Sequence, residues 1–239
     1  DPSVFGTEVT RRLVSFLAEQ GWGIISGLAK GIDAESHRAA LDVNGYTVAI
    51  LANGLDKGYP SENRELADEI VAKGGALVSE QPFGIPAKPM NLVQRDRLQS
   101  GMSVATIVMQ TDVVGGSMHT VRFTLSQGRF LVAPVPTGKH AQDIKSQGLI
   151  ALTEQTGTAL ADLLKANGDY RDVLLRRYAN RAPAFPIRSR SDYPGLLDRL
   201  SKIAAFAEAS PPSGRREAIQ TYLAMVADLH AGEGSLKAD

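Results

Sequence analysis

Trp22-Gly23-Ile24-Ile25-Ser26-Gly27-Leu28-Ala29-Lys30-Gly31-Ile32-Asp33 decides the fold. A short apolar run ends in small residues, and the composition then turns toward helix over residues 33–40, so the stretch reads as strand, loop, helix. Outward from it the alternation recurs. Ahead lies an approximately helical spacing over residues 4–20, with Val4, Leu13, Val14, Phe16 and Leu17 set among Arg11, Arg12 and Glu19 and closed by Gly21. Behind it, strands are expected at 46–51, 76–79, 105–109 and 130–133, separated by helices at 62–72, 92–101 and 117–127. Short apolar runs alternating with helices define βαβ units. The expected fold is therefore α/β, a doubly wound, mostly parallel sheet covered on both faces over residues 1–165. Such sheets usually open with a strand. This chain opens with a helix, which points to a missing first strand.

Beyond residue 164 the texture changes. Arg176, Arg177, Arg181, Arg188 and Arg190 share a stretch with Pro183 and Pro186, which places a linker around 179–192, and helical patterns follow near 195–208 and 214–230. Residues 166–239 are thus expected to be a small helical C-terminal extension, frayed at Gly232-Glu233-Gly234-Ser235. A chain of 239 residues suffices for one or two domains whose core needs no staples. Its 26 basic and 26 acidic side chains cancel, so any affinity for nucleic acid has to come from a local patch. Cysteine is absent, which excludes disulfides, thiolate zinc sites and cysteine nucleophiles. His37, His119, His140 and His230 show no ligand spacing, so neither metal nor cofactor is expected. No apolar run approaches the roughly 18 residues of a membrane span, and Asp1-Pro2-Ser3 does not open a secretory signal. A cytoplasmic protein without membrane contact is expected.

Three constellations bear on chemistry. In the first, Gly27 and Gly31 permit close backbone approach at a helix start, Ser26 adds a hydroxyl, and Lys30 adds charge, which together suit a phosphate. The competing reading is a tight strand-to-helix turn capped by Asp33. Neither the dinucleotide-binding glycine fingerprint nor the Walker pattern is present. In the second, Gly115, Gly116, Ser117 and Thr120 form a potential nest of N–H and O–H donors around His119, against the plainer reading of a glycine loop capped by Ser117. The third is Gln94-Arg95-Asp96-Arg97. Arginines at i and i+2 do not share a helix face, so Arg95 and Arg97 meet one ligand only from a loop or a helix entry. The alternative pairs them with Asp96, Glu80 or carbonyls. Tyr59 and Phe83 would stack on a base if exposed, against the commoner reading, for Tyr59, of a packed side chain.

Taken in order, these segments resemble the DNA-processing protein A family, also called DprA or Smf. The family's blocks SGLAxGIDxxxH, GxGLDxxYPxEN, SExPxGxxP, RNRxIxGLS and SGSLxTAxxAxxxGR are followed by residues 26–37, 53–63, 79–86, 95–103 and 115–129. The likeness covers about two thirds of the chain and does not extend to residues 166–239. The resemblance implies a Rossmann-like domain that forms a homodimer, binds single-stranded DNA in a basic pocket and helps to load a RecA-like recombinase, with no catalytic activity. It also implies nucleic-acid or phosphate contacts at Ser26, Gly27, Gly31, Arg95, Arg97, Gly116, Ser117 and Thr120, to which electrostatics adds Lys30. The departures from the family pattern are Asp96 between the arginines in place of Asn, Gly115 in place of Ser, and Gln110 in place of Glu. The family's opening strand, ending in a Gly-Ser/Thr-Arg triplet, would lie ahead of Ser3. No C-terminal winged-helix module is evident.

Two other classes compete. A phosphoribohydrolase-like enzyme acting on a nucleotide needs a carboxylate in the helix after the glycine loop, and Val121-Arg122-Phe123-Thr124 offers none. A nucleotide-sensing Rossmann module would use the two glycine loops equally well, with residues 190–239 as its effector element.

Overall fold

A computed structural model of the chain describes residues 2–56 and 60–209. The first half runs through α1 (Val4–Glu19), β1 (Ile24–Ser26), α2 (Ile32–Asp42), β2 (Thr47–Leu51), α3 (Arg64–Ala72), β3 (Ala76–Ser79) and α4 (Pro89–Gly101). It continues through β4 (Ala105–Ile107), α5 (Ser117–Ser126), β5 (Phe130–Pro134), α6 (Gln147–Glu154), α7 (Gly157–Leu163), α8 (Gly168–Arg177), β6 (Phe185–Ile187) and α9 (Tyr193–Ala209). Local chemistry sets the helix starts. Ser3 caps α1 by accepting the Gly6 N–H at 3.0 Å, and Pro89 stands in the first turn of α4, where its missing N–H costs nothing. Val9, Leu13, Val14 and Leu17 then recur at helical spacing and give α1 its buried face.

The strands form two parallel triplets, ordered β3-β2-β1 and β4-β5-β6. Ile25 lies opposite Val48 and Ala49 opposite Leu77 in the first, while Thr106 lies opposite Leu131 and Ala133 opposite Pro186 in the second. The central strands β2 and β5 are buried throughout, as strands covered on both faces must be. Alternation along β5 divides the core. Phe130 and Val132 join α1 and α9 on one face, and Leu131 and Ala133 join α5, α6 and α8 on the other. The architecture is the α/β, Rossmann-like one expected, with a helical C-terminal part.

The facing edges of β1 and β4 do not pair. Between them lies a cavity of about 440 Å³, lined by Ile24, Ile25 and Val48 on one side and by Thr106, Ile107 and Met109 on the other.

The expected linker at 179–192 is corrected. It contains β6, whose Phe185 and Ile187 are buried in the core, and Val135 donates its N–H to Ile187 O at 2.8 Å. Pro186 concealed the strand from a reading by composition, but an edge strand tolerates a residue without an N–H. The helix expected near 195–208 is α9, which buries Leu196, Leu200 and Ile203 and stacks Tyr193 on Phe16 with ring centroids 4.7 Å apart. The extension is therefore built into the α1 face of the sheet. The pattern at 214–230 and the tail at 232–235 lie outside the described residues. No helix among the described residues is long and apolar enough to cross a membrane.

Candidate nucleic-acid interface

In a doubly wound sheet the ligand crevice lies outside the carboxyl ends of the strands, where the winding reverses. Here the reversal falls between β1 and β4. The loops that follow them line a crevice of about 410 Å³. Lys30 and Gly31 reach it from the first loop, Gly116, Ser117 and Thr120 from the second, and Arg95 from α4. Six of the nine residues expected from the sequence thus meet in one place.

The first loop is held from inside. Ser26 Oγ donates to Asp33 Oδ1 at 2.9 Å and the Ala29 N–H donates to Asp33 Oδ2 at 3.2 Å, so the loop's anion-binding donors take the protein's own carboxylate. The Asn63 amide donates to Leu28 O at 2.8 Å and fixes a buried residue whose φ of 59° is unusual for a leucine. Gly31 turns into α2 at φ 91°, which a residue with a Cβ adopts only under strain. Ser26 lines the neighbouring cavity between the half-sheets, and Gly27 is buried against Arg95. The reading of an open phosphate cradle at Ser26 and Gly27 is therefore corrected in favour of the turn organised by Asp33.

Arg95 is corrected likewise. Only 8% exposed, it donates through one terminal nitrogen to Gly27 O at 2.5 Å and Ile50 O at 2.7 Å, and through Nε to Asp96 Oδ1 at 3.0 Å. Its other terminal nitrogen lies 3.5 Å from Asp33 Oδ2. A Cβ on Gly27 would collide with this guanidinium, which is why the position is glycine. Arg95 thus binds α4 to the ends of β1 and β2 and forms the floor of the crevice. Arg97, two residues on, pairs with Glu80 at the surface and does not line the crevice. The i, i+2 spacing turned the two arginines apart once the block lay inside α4.

Charge in the crevice is nearly balanced. Burial is the main cause that pushes the Asp96 carboxyl up to about 6; the Arg95 charge works against it and the nearby Asp33 with it. Lys30 pairs with Glu62 across the rim, where both side chains are more than half exposed. The second loop is more open: α5 begins with no side-chain cap and no acidic residue in its first turn, with Gly116, Ser117 and His119 exposed. His119, ranked low from the sequence, sits on this lip. Phe83 is 75% exposed and is not among the residues that line the crevice, and Tyr59 lies outside the described residues.

His37, from the first sequence block, is structural. It is fully buried, and its Nδ1 is 2.7 Å from Thr47 Oγ1. The Thr47 hydroxyl donates onward to Ile24 O at 2.9 Å, which assigns the proton of this contact to His37 Nδ1. Burial lowers the imidazole pKa to about 4. Asp33 is the residue that the turn reading of the sequence singled out, and its carboxylate does hold the loop. Gln110 and Asn63 are the residues whose parts the sequence reading missed: Gln110 Oε1 accepts from the Ser3 N–H and hydroxyl at 2.7 and 2.8 Å, and nothing local to either residue marks it as a clamp.

Two parallel half-sheets with glycine loops meeting at the reversal point between them define a Rossmann-like α/β protein. The chain belongs to the DNA recombination-mediator protein A family, whose sequence profile matches residues 1–167. It is 40% identical over 157 residues to protein Smf of Escherichia coli strain K12, a match covering 64% of this chain and 42% of that protein. It is 38% identical over 133 residues to DNA processing protein DprA of Bacillus subtilis strain 168, covering 56% of this chain and 44% of that one. The chain thus spans less than half the length of these relatives. Among solved structures, DprA of Streptococcus pneumoniae superposes with a TM-score of 0.58 at 32% identity, over 63% of this chain and 52% of that one. DNA processing protein A of Helicobacter pylori, described for its single-stranded DNA binding mode, superposes at 0.56 with 26% identity, over 74% and 77%.

Proposed function

We propose that this protein binds single-stranded DNA as a recombination mediator, with phosphates on the lip formed by Gly116, Ser117, Thr120 and Lys30. The observation that carries the reading is the convergence of the two loops on one open crevice in a chain of this family. Its Helicobacter pylori relative is known for single-stranded DNA binding. Backbone N–H groups and hydroxyls at an uncapped helix start suit phosphate oxygens whatever the base, so binding is largely independent of sequence. The role is binding rather than catalysis, because both carboxylates that reach the crevice are engaged by Arg95. A homodimer, a RecA-like partner and a cytoplasmic setting belong to the same proposal.

The test is a length series of single- and double-stranded oligonucleotides at two salt concentrations. With Lys30 as the main exposed cation, the salt slope expected is shallow, about −0.7 to −1.4, equivalent to one or two neutralised phosphates. Affinity should rise with length and favour single strands. A mononucleotide that binds as tightly as a long strand would overturn the reading in favour of a nucleotide sensor.

A further inference from the structure

Free positive charge is what the crevice itself lacks. Of the cations that line it, Arg95 is held by Asp33 and Asp96 and Lys30 pairs with Glu62. A chain with no net charge draws nucleic acid through a local excess of positive charge. That excess lies in residues 176–190, which hold five arginines and no carboxylate. β6 divides them. Arg176, Arg177 and Arg181 precede the strand and lie toward its amino end, whereas Arg188 and Arg190 follow its carboxyl end. β4, β5 and β6 are parallel, so the carboxyl end of β6 is at the crevice edge of the sheet.

The strand register fixes the separation. Ile107 lies opposite Val132 and Pro134 opposite Ile187, which brings Gln110 on the crevice wall and Arg188 to one level, two strands apart. At about 4.8 Å per strand the two are about 10 Å apart along the backbone, a span of roughly three nucleotides at about 3.4 Å each. The surface between them is continuous. Pro2 lines the crevice, Phe5 in the first turn of α1 meets His140 of the loop after β5 with ring centroids 5.5 Å apart, and that loop leaves β5 beside β6, where the Val135 N–H donates to Ile187 O. Lys139, next to His140, is exposed and has no ion pair among the described residues.

The loop after β6 is held in shape by its own backbone. Asp192 Oδ2 accepts the Arg188 N–H at 2.7 Å and the Ser189 N–H at 2.8 Å, and Ser189 Oγ accepts the Ser191 N–H at 3.2 Å. The guanidinium groups are left over. Arg188 and Arg190 are exposed, and among the described residues neither side chain has an ion pair or a hydrogen bond. Burial raises the pKa of the Tyr193 hydroxyl while the charges of Arg12 and Arg190 lower it, so a further guanidinium stands near Arg190 on the α1 flank.

Resting on the single-stranded DNA reading above, we propose that the loop after β6 is a second phosphate subsite: Arg188 and Arg190, with Lys139 on the way to them, take backbone phosphates of a strand that leaves the crevice over the first turn of α1. The subsite reads phosphate and not base, so it adds affinity and length dependence without sequence preference. Both arginines lie beyond the residues 1–167 matched by the family profile, which gives the C-terminal extension a binding role of its own.

The test measures binding of oligothymidylates of 4 and 20 nucleotides at two salt concentrations to the parent chain and to R188Q/R190Q, R188K/R190K and R176Q/R177Q, the last removing two charges beyond the other end of β6. In R188Q/R190Q the 20-mer should bind about tenfold more weakly or worse, with a salt slope shallower by about 1.4, equivalent to two phosphates of a single strand, while the 4-mer binds as to the parent. R188K/R190K should keep the parent's slope. R176Q/R177Q should shift either affinity by less than about threefold, because charges more than about 10 Å from the strand are screened. Parent-like binding of the 20-mer by R188Q/R190Q would overturn the subsite and leave the crevice reading standing. An equal loss in R176Q/R177Q would also overturn it, by reducing the effect to net charge, and so would an equal loss of the 4-mer, which would put the two arginines in the crevice site itself. A parent that binds neither length removes the single-stranded DNA reading, and the subsite with it.

Discussion

Arg95 shows how one side chain can be read correctly as important and wrongly as exposed. Its guanidinium holds two carbonyls and two carboxylates in the interior, so removing it leaves buried acceptors and charges uncompensated. Arg95→Ala is expected to cost about 3–5 kcal/mol in a denaturant melt. Arg97→Ala breaks an exposed pair with Glu80 and should cost at most about 1 kcal/mol. Equal losses for the two variants would show that Arg95 is not the clamp described. Loss of DNA retention in an Arg95 variant reports on the fold before it reports on contact. Lys30, Ser117 and Thr120 are the cleaner positions for mapping a phosphate.

At the scale of elements, β6 and α9 turn the C-terminal extension from an appendage into part of the core. Leu196 and Leu200 pack with Leu13, Val14 and Phe185, so the helix is a wall of the same hydrophobic cluster as α1. Leu196→Ala should lower stability by about 2–5 kcal/mol and do so in a single transition shared with the sheet. A separate, earlier transition for α9 would mean that the extension folds apart from the rest. The elements were legible because their apolar runs are short, bounded by glycine, and spaced as βαβ units. The strand at Phe185–Ile187 was not, since three residues with a proline among them carry no periodicity.

The molecule as a whole is electrically balanced, and among the described residues two buried groups act on its pH response in opposition. Asp96 has its folded pKa raised, so the folded state holds the proton more tightly and stability falls as pH rises from about 4 through about 6. His37 has its pKa lowered from 6.5 to about 4, so the unfolded state takes the proton first and stability falls as pH drops through that window. Each group contributes a slope of up to about 1.4 kcal/mol per pH unit, and between pH 4 and 6 the two largely cancel. Asp96→Asn should leave stability falling steeply toward acid, and His37→Asn should leave it falling toward neutral pH, both measured by denaturant midpoints across pH 4–7. Parallel curves for the two variants and the parent would remove both assignments. On the proposed function, protonation of Asp96 also makes the crevice one unit more positive, so oligonucleotide retention should strengthen more below pH 6 in the parent than in Asp96→Asn, where His119 on the lip remains as a titratable group.

The sequence alone determined the winding of the chain, because hydrophobic period and glycine placement are local properties that act wherever the segment ends up. It also determined the family, and with it the two loops that meet at the point of reversal. Only the tertiary structure decided which polar side chains face solvent. Arg95 bonds Gly27 O across 68 residues and pairs with Asp33, which in turn takes the Ser26 hydroxyl, and no local pattern distinguishes a donor saved for a ligand from one consumed by a distant carbonyl.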